Sequence, residues 1–143
     1  MSLTHIRPYF TNRLMSLGFT EWDDAFHDDN IPSTIMDRAF FQTLVGVVGE
    51  TTTSLDVELV ATVEIRCFFK GFRNPVSALN DAIDRSQEVI KTCVNTLNQS
   101  GTDIKGVYFQ TLGLEPLNLD ANDNVVKAVL VFDARVYLCT DNA

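Results

Sequence analysis

The chain has 143 residues, 45% apolar, 10% aromatic and 21% charged, which suits one ordinary domain, residues 1–143, with enough length to bury a core. Eleven Lys and Arg against nineteen Asp and Glu leave a net charge of -8, and that sign disfavours general nucleic-acid binding, which depends on neutralising phosphates. The first ten residues include His5, Arg7 and Pro8 without a secretory apolar run, and the longest apolar run, residues 128–132, cannot span a bilayer; a soluble intracellular product is expected.

Ile6, Phe10, Leu14 and Leu17 follow the spacing of one helix face, Pro8 is tolerable in a first turn, and Gly18 can supply a left-handed C-terminal cap. Residues 21–34 lack periodicity, carry Glu21, Asp23, Asp24, Asp28 and Asp29, and contain Pro32, so they predict an acidic surface loop pinned by Trp22, Phe26 and Ile31. Residues 35–48 are rich in Phe and Val and predict a strand; the polar residues 49–54 suit a hairpin tip.

Leu55, Val57, Leu59, Ala61, Val63, Ile65, Cys67 and Phe69 then occupy every second position, opposite Asp56, Glu58, Thr62, Glu64, Arg66 and Lys70. At about 3.3 Å per residue this strand would reach roughly 50 Å, beyond the width of the body. A projecting hairpin over about residues 45–60 accommodates it.

Asn74 and Pro75 form an N-cap and first-turn pair, after which Val76, Leu79, Ile83, Ile90, Cys93, Val94 and Leu97 predict the buried face of a second helix ending before Gly101. Residues 104–111 predict a further strand. A last alternating run places Val126, Ala128, Leu130, Phe132, Ala134, Val136 and Leu138 on one face. The element order is α-β-β-α-β-β, and the expected fold is α+β, a mixed four-stranded sheet with two helices on one face and a long projecting hairpin, the second helix making a right-handed crossover. Val60, Phe68, Val129, Val131 and Tyr137 fall on the nominally exposed register, which predicts contact with another chain.

Familiar chemistry is sparse. Cys67, Cys93 and Cys139 are widely spaced without a C-x-x-C pair, so they predict reduced, buried thiols rather than a disulfide or zinc site. Asp120, Asn122 and Asn124 begin like a calcium loop, but Val125 and Val131 stand where Gly and Glu are required, and a polar turn is the better reading. His27 beside Asp23, Asp24 and Asp28 offers a metal or general-base cluster on a loop, without a second ligand set or a nucleophile. No metal, cofactor or catalytic residue is predicted.

Arg66, Lys70 and Arg73 alternate with Phe68, Phe69 and Phe72, with no acid among them. Three readings are open: a strand end balancing nearby acids, an interface rich in Arg and Phe, and a stacking platform for single-stranded nucleic acid. The net charge weighs against the last.

Asn30, Ile31, Pro32, Ser33 and Thr34, followed by Asp37, Arg38 and Phe40, then by the acidic-apolar strand and the Asn74-Pro75 helix, give a chain that resembles the tail terminator or tail-completion proteins of long-tailed bacteriophages over nearly its whole length. The resemblance implies a virion protein, made in the host cytoplasm and placed in the tail-neck region. It implies a homohexameric ring that caps the tail tube, stops its growth and presents the head-joining surface, with the tail tube protein and a neck or head-completion protein as partners. No nucleic-acid sequence recognition or membrane association is implied. The stretch around Asn30, Pro32 and Arg38, the hairpin with Glu50 and Thr52, and the segment with Arg66, Phe68, Lys70, Phe72 and Arg73 are the candidate subunit or tail contacts. The alternatives are a head-tail connector or neck subunit of the same virion, and a small α+β enzyme or ligand-binding domain using His27.

Overall fold

The structure, a computed structural model, describes residues 5–21, 38–51, 56–72, 74–95, 104–118 and 124–139. The His27 cluster, Asn30, Pro32, Thr52, Arg73 and residues 119–123 of the calcium-like turn lie outside the described residues.

Helix α1 (Ile6–Ser16) buries Ile6, Tyr9, Phe10 and Leu14. It ends as its sequence requires: Gly18 takes φ of 90°, and the amides of Gly18 and Phe19 bond back to the carbonyls of Met15 and Leu14 at 3.0 and 3.1 Å. This is a Schellman cap, with the buried Phe19 and Leu14 supplying its hydrophobic contact. The chain continues into β1 (Thr20–Glu21), β2 (Ala39–Thr51), β3 (Asp56–Phe72), α2 (Pro75–Cys93), β4 (Ile104–Asn118) and β5 (Asn124–Cys139). Asn74 caps α2 with its side-chain oxygen, which accepts from the amides of Val76 at 2.8 Å and Ser77 at 3.3 Å.

The sheet corrects the expected four-stranded arrangement. It has five strands in the order β1-β2-β3-β5-β4. The four long strands pair antiparallel throughout, and the mixed character comes from β1, which pairs parallel with the start of β2 through Thr20↔Ala39 and Glu21↔Phe40. Through α2 the chain passes from β3 to β4, which run parallel, but β5 is inserted between them and pairs with both. Hydrophobic alternation could not separate these orders, because each buries the same register of β3 and β5. A two-residue strand is too short to carry any periodicity.

That register faces the helices. Ala61, Val63, Ile65, Cys67 and Phe69 of β3 and Val126, Ala128, Leu130, Phe132, Ala134 and Val136 of β5 are all buried. Phe132 meets Phe10 at 5.4 Å and Phe109 at 5.5 Å between ring centroids, while Phe19 stands edge-on to Phe69 at 5.8 Å. These are favourable aromatic geometries.

The contact face of α2 also departs from expectation. Its buried stripe is Ala78, Ala82, Ser86, Val89 and Cys93, whereas Val76 and Ile83 are exposed. Small side chains let the helix lie close to the sheet, so backbone proximity replaces side-chain bulk. Leu79 and Ile90 flank the stripe, partly buried.

Candidate interaction surface

Strands β2 and β3 form a long hairpin, paired from Phe40↔Cys67 to Thr51↔Val57 with a bulge between Leu44 and Gly46; because β5 pairs with β3 as far as Asp56↔Cys139, the hairpin is part of the sheet and not the projecting element expected. Near its foot β2 is covered: Ala39, Phe40 and Phe41 are buried. Farther along, Leu44, Val45, Val47 and Val48 are 52%, 59%, 38% and 63% exposed. Four large aliphatic side chains in so short a segment form an uncommon surface, of the kind that marks interaction sites. Among the described residues, the outer edge of β2 beyond Phe40 has no strand partner.

A polar cluster closes the covered end of β2. The Gln42 amide nitrogen donates to Thr11 Oγ1 at 2.6 Å, to Glu21 Oε2 at 2.9 Å and to the Arg7 carbonyl at 3.2 Å. Thr11 in turn donates to Glu21 Oε1, and the Arg7 guanidinium lies 3.2 Å from Glu21 Oε2. The cluster ties α1, β1 and β2 together. Beside it Ile6, Arg7, Gln42, Leu44 and Val63 line a cavity of about 120 Å³. Leu44 and the Arg7 side chain are both more than half exposed, so the cavity opens toward solvent at the β2 edge.

The opposite face of the sheet carries ladders of paired charges and polar groups. Glu58, almost wholly buried, meets Arg135 at 3.0 Å and Lys105 at 3.8 Å. Thr62 donates to Asp133 at 3.0 Å, Gln110 donates to its other carboxylate oxygen, and Lys127 pairs with Glu115 at 3.2 Å. Val60, Val129 and Val131 lie half-buried among these groups. Long polar side chains shield apolar surface with their stems, so Val60, Val129 and Val131 have cover within the subunit; the Tyr137 side chain lies outside the described residues.

The segment with Arg66, Phe68 and Lys70 requires a second correction. Phe68, placed by its register on a face open to a partner, is wholly buried, edge-on to Phe41 at 5.8 Å between centroids. Arg66 and Lys70 are half-buried; Arg66 lies 3.6 Å from Glu64 and its guanidinium 5.7 Å from the Phe41 ring. Period two correctly assigns Phe68 to the face opposite Phe69, but both faces are closed at this end of the sheet.

Arg38 is exposed and takes φ of 66°, an uncommon conformation for a non-glycine residue. Its amide donates to the Phe68 carbonyl and its carbonyl accepts from the Thr20 amide, both at 2.8 Å. It therefore joins β1 to β3. The backbones of Glu50 and Phe72 pair with Glu58 and Asn124 respectively. The structure brings Arg66, Phe68 and Lys70 together on one face and links Arg38 to them through the main chain, apart from the exposed aliphatic segment of β2.

Val45, Val47 and Val48 lie within the hairpin of residues 45–60 that the sequence marks as a candidate contact, whereas Leu44 lies just outside it. Leu44 and Val45 before Gly46, and Val47 and Val48 between Gly46 and Gly49, are apolar without alternation, leaving no wet register. The Arg7, Thr11, Glu21 and Gln42 cluster had no such signal, because its members meet only in the fold. Among the described residues, no group of three His, Cys, Asp or Glu is placed to hold a metal, and no helix is long and apolar enough to cross a membrane. No protein-family model matches the chain, and comparison with curated proteins finds no match.

Proposed function

We propose that this chain is a structural subunit of a phage virion that assembles head to tail into a six-membered ring on the end of the tail tube, ends tube growth and presents the surface to which the neck joins. The exposed aliphatic segment of β2 carries the proposal: Leu44, Val45, Val47 and Val48 are more than a third exposed in the isolated subunit, and a neighbour would cover them. A ring is a closed way to supply that neighbour, since one surface of each subunit meets a different surface of the next. The resemblance through Asn30, Pro32, Arg38 and Phe40 directs the reading to the tail-neck region. The tail tube protein and a neck or head-completion protein are the further partners, and the role proposed requires no cofactor.

Tail tubes polymerised with and without the purified protein test the reading. Electron microscopy should show rings at one tube end and tubes that stop elongating once capped. Unchanged tube growth with no density at either end would refute it.

A further inference from the structure

We draw no further inference here: the strongest candidate, the exposed aliphatic edge of β2 at Leu44, Val45, Val47 and Val48 with the cavity beside it, is an apolar surface for which nothing in the structure shows which segment or partner covers it.

Discussion

The Tyr9 hydroxyl donates a 2.6 Å hydrogen bond to the main-chain carbonyl of Cys93, joining two residues 84 positions apart in the chain. Tyr9 is buried on α1 and Cys93 closes α2, so the bond fastens one helix to the last turn of the other and satisfies a carbonyl that the helix itself leaves open. Tyr9→Phe preserves the ring and its edge-on contact with Phe10 while removing the donor. It should cost about 1 to 2 kcal/mol in urea unfolding.

Burial gives the same pair an alkaline sensitivity. It pushes the Tyr9 hydroxyl up to about 12 and the Cys93 thiol from 9.0 to about 12, in each case offset in part by Arg13, and it raises Cys67 as well. All three are neutral when protonated and their folded values lie above the unfolded ones. The unfolded chain therefore releases these protons first as pH rises, and stability falls with pH. The unfolding midpoint should be flat through neutrality, then decline between about pH 9 and pH 12. Cys67→Ala combined with Cys93→Ala should make that decline shallower.

Phe68 and Phe69 provide a direct test of how the sheet is covered. Because both are buried, on opposite faces, Phe68→Ala and Phe69→Ala should each destabilise the isolated subunit by about 3 to 5 kcal/mol, measured by chemical denaturation. Near-neutrality of Phe68→Ala would mean that its face is open.

The small-residue stripe of α2 predicts an inverted response to side-chain size. Ala82→Leu inserts bulk where Ala82 is fully buried and should cost about 1 to 3 kcal/mol through overpacking. Ile83→Ala, one position along on the exposed side, should change stability by less than about 1 kcal/mol. Thermal melts of the two variants decide between this face and the one that hydrophobicity alone suggests.

The contrast between these positions shows what the sequence could convey. Long alternating runs define β3 and β5 because one register is buried over many residues, and Gly18 and Asn74 mark helix boundaries through local backbone chemistry. The fate of Phe68 depended on Phe41 from another strand, and the close approach of Ala82 depended on the sheet beneath it; neither neighbour is local. The insertion of β5 between β3 and β4 is a matter of topology, to which period two is blind. Val45, Val47 and Val48 fall within the hairpin that the sequence marks as a candidate contact, but their exposure, and the lack among the described residues of a strand partner on the outer edge of β2 beyond Phe40, are properties of the fold.

Mass measurement by light scattering, over a wide range of concentration and salt, tests the central claim most directly. With -8 on each subunit and the exposed aliphatic segment of β2 as the proposed contact, assembly should produce a discrete six-subunit species that strengthens as salt screens the repulsion, the Debye length falling to about 10 Å near 0.1 M. A monomer at every concentration and salt would contradict the account.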